Sequence, residues 1–330
     1  MSELLLKILD LQTHLLTDRG VRRPVDGVSL TVRRGETVAL VGESGCGKSM
    51  TALSLVRLVP RPGRIVSGQV LFDGEDLLRK PEAEMRRIRG RRIGMVFQDP
   101  LSTLNPTLRV GHQIEESLRV HGIARGPAAR QRSRDLLEAM GIPSARDRLR
   151  CYPHEMSGGM LQRVMIAIAV SCDPDLLIAD EPTTALDVTL QVQIMDLLTR
   201  LKRERELAIL LITHDLGLVS QFSDRVAVMY AGQIVEQGPT ADLLQNPRHP
   251  YTQGLLRCVP RLGRPDLEIL PIEGSVPDTA FPPPGCRFAP RCPEAWDRCE
   301  TEIPAPRPVG ENHTARCHLC TPSLNEEVVG

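Results

Sequence analysis

Short apolar runs alternating with amphipathic stretches fill most of the chain. Runs at 4–11 and 28–34 read as strands, as does Val38-Ala39-Leu40-Val41, and the pattern turns helical over 48–58. A further strand is expected at 68–72, with Phe72-Asp73-Gly74-Glu75 turning out of it. A polar, basic helix follows at 82–92, then a strand at 94–98 that Asp99-Pro100 ends. Over 100–155 apolar positions fall at helical spacing, as in Leu136, Leu137 and Met140, with Gly and Pro between the pieces, which predicts a small helical insert. Ser157-Gly158-Gly159 opens an apolar run, 160–170, that a hydroxyl N-cap would start as a buried helix. From 175 the pattern alternates: strand 176–179, helix 190–203, strand 208–213, helix 216–222, strand 225–230, then Gly232 and strand 233–236. Strands alternating with helices predict an α/β layer fold with a mostly parallel core sheet. Past 260 the chain is rich in proline and poor in periodicity, so a loop-built tail that needs a staple is expected.

Composition narrows the classes. The 330 residues suit one large domain plus an appendage. Lys+Arg and Asp+Glu are equal at 41 each, so no net charge draws the chain toward nucleic acid or anionic lipid. The apolar run 164–170 is far short of a membrane span, and the N-terminal Met1-Ser2-Glu3-Leu4 has no basic region ahead of a long apolar one. The protein is therefore expected in the cytosol, with any membrane role exerted through partners. Nine cysteines then call for an explanation other than disulfides. Cys46, Cys151, Cys172 and Cys258 are scattered, while Cys286, Cys292, Cys299, Cys317 and Cys320 crowd the tail, which favours metal or cluster ligation.

The sharpest chemistry lies just after strand 38–41. Gly42-Glu43-Ser44-Gly45-Cys46-Gly47-Lys48-Ser49, running on into Met50, spaces two glycines and a Gly-Lys-Ser end as a phosphate cradle does. Its glycines turn backbone N–H groups inward, and the helix that follows adds its positive N-terminal dipole. Lys48 suits the β- and γ-phosphates, and Ser49 suits Mg²⁺. Downstream, the apolar strand 176–179 runs into Asp180 and Glu181. Asp180 suits Mg²⁺, directly or through water, and Glu181 suits orienting or deprotonating an attacking water. His214, at the end of strand 208–213, stands where α/β proteins bind ligands, and Gln98 ends its own strand.

Together these pieces resemble the ATP-binding-cassette ATPases over residues 1 to about 245. Ser157-Gly158-Gly159-Met160 is similar to the family's signature loop, Gln98 to its Q-loop, Ala185-Leu186-Asp187 to its D-loop and His214 to its switch histidine. The resemblance implies a P-loop NTPase with an antiparallel β subdomain and a helical subdomain over about 99–170. It also implies catalytic roles for Glu181, His214 and Gln98, ATP contacts from Gly42 to Met50, and Mg²⁺ at Ser49, Gln98 and Asp180. The signature Ser157, Gly158, Gly159 and Met160 and the D-loop Asp187 would serve the nucleotide of a facing second cassette. The signature has Met156 and Met160 where Leu and Gln are usual. No Phe, Tyr or Trp precedes Phe72, although the family stacks an aromatic on adenine upstream of the phosphate loop. An aliphatic or Arg side chain around 20–25, or the partner, is expected there instead, with modest base selectivity.

Asn246-Pro247-Arg248-His249-Pro250-Tyr251-Thr252 and the tail around Pro284-Gly285-Cys286 narrow the resemblance to oligopeptide and dipeptide importer ATPases, with 246–330 as their C-terminal extension. Residues 179–188 lean toward the D-type subunit. That implies an F-type ATPase partner, two transmembrane permeases at the cytoplasmic face of the membrane, and an extracytoplasmic peptide-binding protein. Nickel and glutathione importers share this architecture, and cassette ATPases that act on nucleic acid are a more distant alternative. Some relatives carry a [4Fe–4S] cluster on a set like Cys286, Cys292, Cys299 and Cys317. Cys317-His318-Leu319-Cys320 leaves zinc open.

Overall fold

The computed structural model describes residues 3–18, 20–184, 186–258 and 271–320. Ala185 of the D-loop and the tail stretches 259–270 and 321–330 lie outside them. The chain forms two compact units, one of Met1–Leu6, Thr31–Thr37 and Leu71–Ile212, the other of Lys7–Leu30, Val38–Val70 and Thr213–Gly330.

In the first unit, strands Ile93–Val96 and Leu176–Asp180 pair in parallel, and Leu176–Asp180 pairs in parallel with Ala208–Thr213. Leu176–Asp180 is buried along its whole length, which is why it reads as an unbroken apolar run. The helical insert contains Val110–Val120 and Gly126–Ala139, and the long apolar helix is Gly158–Val170. Val110, Ile114 and Leu118 bury one face of the first of these at helical spacing. Gly111 lets that helix approach Leu149, whose carbonyl oxygen would stand 2.7 Å from any added Cβ.

In the second unit, Thr37–Val41 pairs in parallel with Arg225–Tyr230, and the order then continues antiparallel through Gln233–Pro239, His313–Ala315 and Arg307–Gly310. The fold is thus α/β with mixed pairing: the alternating stretches supply the parallel pairs, and two hairpins supply the antiparallel ones. Strands Gly20–Arg33, Leu4–Thr17 and Gly63–Phe72 also neighbour one another, in that order. They are longer than the apolar runs suggested, because polar residues take part: Thr13 and Ser54 are buried and share a 2.7 Å hydrogen bond. Conversely, the helix after the phosphate loop ends at Leu55, with Arg57 in the left-handed region at φ 55°.

The extension is built into this second core. Tyr251, on helix Pro250–Arg257, and Phe288 pack on Tyr230, with ring centroids 4.6 and 5.2 Å away. Buried Glu236 anchors both halves of the extension. It accepts from the backbone N–H groups of Arg248 (2.7 Å) and His249 (3.0 Å), and the ring Nε2 of His313 lies 2.8 Å away. Burial pushes the His249 pKa down to about 3, so its ring stays neutral and Nδ1 accepts from the Tyr251 N–H, capping the helix. Replacing Glu236 by Ala would leave the Arg248 and His249 N–H groups without this acceptor, the second of them buried. Chemical denaturation should show a loss of about 3 kcal/mol, and an unchanged midpoint would contradict the anchoring role.

Candidate nucleotide site and cysteine cluster

The phosphate loop leaves buried strand Thr37–Val41 at Gly42. A Cβ on Gly42 would stand 2.1 Å from the Met229 carbonyl oxygen, and one on Gly47, at φ 114°, would stand 1.9 Å from that of Pro24. Only glycine fits either place. Gly47 precedes helix Lys48–Leu55 without a side-chain cap. Lys48 folds back onto its loop, Nζ donating to the carbonyls of Gly42 (2.8 Å) and Glu43 (3.1 Å). Cys46 is fully buried, and burial raises its pKa against the opposing influence of Lys48.

Glu43, inside this loop, is held from the extension. Its N–H donates to the Tyr251 hydroxyl at 2.9 Å, and its carboxylate accepts two bonds from Arg291, at 2.7 and 3.0 Å. Arg291 also donates to the Tyr230 hydroxyl (3.3 Å) and to the carbonyls of Ile272 and Glu273. Arg287 bridges Asp26 and the carbonyl of Ala231. Neither arginine was singled out by sequence, since each lies more than two hundred positions from the acid it holds. His214 borders one cavity with Gly42, Glu43 and Leu255. The adjoining Asp215 caps helix Leu216–Phe222 by accepting from the N–H groups of Gly217 and Leu218.

In the first unit, Asp180 is buried at the end of its strand. Glu181 follows in the left-handed region, φ 47°, its N–H donating to the Ile212 carbonyl at 2.8 Å. Its Oε2 accepts from Gln98 Nε2 (3.0 Å) and Thr184 Oγ1 (2.8 Å). Gln98 and Glu181 are thus brought together, and Thr184 is a partner the sequence reading missed. A hydroxyl three residues past an acid has no signal of its own.

Ser157 caps Gly158–Val170, its Oγ accepting from the Met160 N–H at 3.4 Å. Ser157 and Gly158 are exposed, while Gly159 sits against Leu190, 3.1 Å from its Cβ position. Asp187 caps helix Val188–Arg205 by accepting from the Leu190 N–H at 2.9 Å. Signature and D-loop are therefore linked through the contact between Leu190 and Gly159.

Cys286, Cys292, Cys299 and Cys317 border one small cavity with His249 and His318, and Cys320 is not among its lining residues. The backbone brings them there: the Cys286 N–H donates to the Cys299 carbonyl at 2.8 Å, and the Cys292 N–H closes a turn onto Ala289. Burial raises the pKa of Cys286, and that of Cys292 to about 11. No group of three or more His, Cys, Asp or Glu among the described residues is placed to hold a single metal ion. Among the same residues, no helix is long and apolar enough to cross a membrane.

Residues 25–184 match the family described as ABC transporter, and residues 235–299 the oligopeptide/dipeptide transporter C-terminal region. The chain is 48% identical to the dipeptide transport ATP-binding protein DppD of Bacillus subtilis, over 96% of this chain and 95% of that one. It is 46% identical to the DppD of Escherichia coli, over 95% and 96%. Among solved structures, the dimeric post-hydrolysis state of the ATP-binding cassette MJ0796, bound to ADP and Pi, superposes with a TM-score of 0.64 at 26% identity. That match covers 71% of this chain and 98% of the other. With its phosphate loop, its signature helix and a C-terminal region that matches in sequence, the chain belongs to the ATP-binding subunits of ABC transporters, in the oligopeptide/dipeptide branch.

Proposed function

We propose that this chain hydrolyses MgATP to drive uptake of dipeptides or oligopeptides through membrane permeases. The observation that carries the cargo class is similarity along nearly the whole chain, extension included, to proteins named for dipeptide transport. In this reading Lys48 and the loop from Gly42 to Met50 hold the phosphates, Ser49, Gln98 and Asp180 serve Mg²⁺, and Glu181 orients the attacking water. His214 and Gln98 respond to the γ-phosphate. Ser157, Gly158, Gly159 and Met160, at an exposed helix N-terminus, complete the site of a facing cassette, with Asp187 beside them. The fitting partner is an F-type ATPase. The pair would act on two permeases at the cytoplasmic face of the membrane, with a peptide-binding protein on the other side. The helical insert is the part that would meet the permeases. Reconstitution with the permeases and binding protein tests this: dipeptide should raise ATP turnover, whereas stimulation by nickel or glutathione alone would reassign the cargo.

We further propose that the cysteine set holds a [4Fe–4S] cluster, with one zinc ion as the alternative. Four cysteines border a common cavity, as a cluster's four thiolates would. Cys286, Cys292, Cys299 and Cys317 would hold the cluster, which would supply the covalent staple that the loop-built tail otherwise lacks. Anaerobic purification should yield about four irons and four sulfides per chain. Stoichiometric zinc without iron would end this reading.

A further inference from the structure

A nucleotide anchored by its phosphates still needs a face for its base, and the sequence upstream of Phe72 offers no aromatic one. The second unit supplies a ring from elsewhere. The Pro24 carbonyl abuts Gly47 of the phosphate loop, and the residues just before Pro24, 20–23, form an exposed surface. A turn of the extension is fastened onto that surface. Arg22 pairs with Asp278 at 3.0 Å, and the Arg23 N–H donates to the Thr279 carbonyl at 3.2 Å. The turn is closed internally by the Phe281 N–H on the Asp278 carbonyl (2.9 Å) and by the Ala280 N–H on Asp278 Oδ1 (3.0 Å). It presents Phe281 with its ring 3.9 Å from the Cβ position of Gly20 and 71% exposed.

A phenyl ring left in water forgoes the gain of burial, yet this one sits on a turn held by four polar contacts. Of the exposed large apolar side chains among the described residues, only Phe281 and Trp296 are aromatic. We propose that Phe281 stacks on the purine base of the ATP held by the phosphate loop, with Arg22 positioning its turn through Asp278. A residue of the C-terminal extension thereby takes the place of an upstream aromatic. The inference rests on the ATP-binding reading and adds the base subsite to it. Stacking on a π-face tolerates any base, so ATP and GTP should be bound with similar affinity.

Calorimetry on the full chain with MgATP, MgGTP and inorganic tripolyphosphate separates the two claims. Phe281→Ala should weaken both nucleotides about tenfold, the scale of one base–aromatic stack, and leave tripolyphosphate unchanged. Phe281→Trp should restore nucleotide affinity. Wild-type nucleotide affinity in Phe281→Ala, or an equal loss for tripolyphosphate, would overturn the stacking role while leaving the phosphate loop's role intact. If the wild-type chain bound neither nucleotide nor tripolyphosphate, the ATP-binding reading would fail first, and the base subsite with it.

Discussion

Replacing Glu181 by Gln should leave MgATP binding within about twofold of wild type and cut turnover by 10²–10⁴, roughly the range for losing a positioned general base. The substitution keeps the shape and an acceptor oxygen, so the hydrogen bonds from Gln98 and Thr184 can persist. What goes is the negative charge and the ability to take a proton. The strained backbone at Glu181, φ 47°, is fixed by its N–H bond to Ile212 and should not change. Steady-state phosphate release and nucleotide-binding titrations check both halves. Undiminished hydrolysis would remove Glu181 from the catalytic role, and lost binding would make it a structural acid. Thr184→Ala is informative alongside it: one of the groups that aim the carboxylate is lost while the charge remains.

The second large effect is expected at Arg291→Ala, far from Glu181 in the chain. Arg291 is 4% exposed and places two donors on the Glu43 carboxylate, inside the loop proposed to bind phosphates. Removing it leaves an unpaired carboxylate next to incoming phosphate charge, while the Glu43 backbone is still held by Tyr251 and Lys48. Stability should fall by about 2–3 kcal/mol, between the values for exposed and fully buried pairs. MgATP affinity should fall as well, more steeply at low salt, where repulsion is less screened. Arg291→Ala with Glu43→Gln should recover most of the affinity, since the unpaired charge is then gone. No recovery in the double variant would mean that Arg291 serves packing alone. Because Arg291 immediately precedes Cys292, the same contact joins the cysteine cavity to the phosphate loop.

The features legible in sequence are those whose signal is local. Gly42 and Gly47 announce the loop because the close approaches they permit are made within a fixed spacing. Ser157 announces its helix because the cap is three residues from the N–H it serves. Strands Leu176–Asp180 and Ala208–Thr213 read as apolar runs because both are buried throughout. The parts that stayed hidden are joined across the chain. Tyr251 and Arg291 meet Glu43 over separations of 208 and 248 residues, and Phe281 reaches Gly20 over a similar one. No spacing rule connects such pairs. The hairpin Arg307–Gly310 and His313–Ala315 was missed for a different reason. Strands of four and three residues carry too little periodicity to stand out among prolines, and this one is placed by pairing with Gln233–Pro239 and by Glu236. Strand ends beyond Leu11 were missed because polar residues such as Thr13 are buried with a partner.

The most direct test is Mg²⁺-dependent release of phosphate from ATP by the purified chain assembled with a second cassette and the permeases. Turnover should rise with dipeptide and with assembly, and Lys48→Ala and Glu181→Gln should each cut it by about a hundredfold or more, the first through binding and the second through chemistry. An assembled complex that neither binds nor cleaves MgATP, with or without peptide, would contradict it.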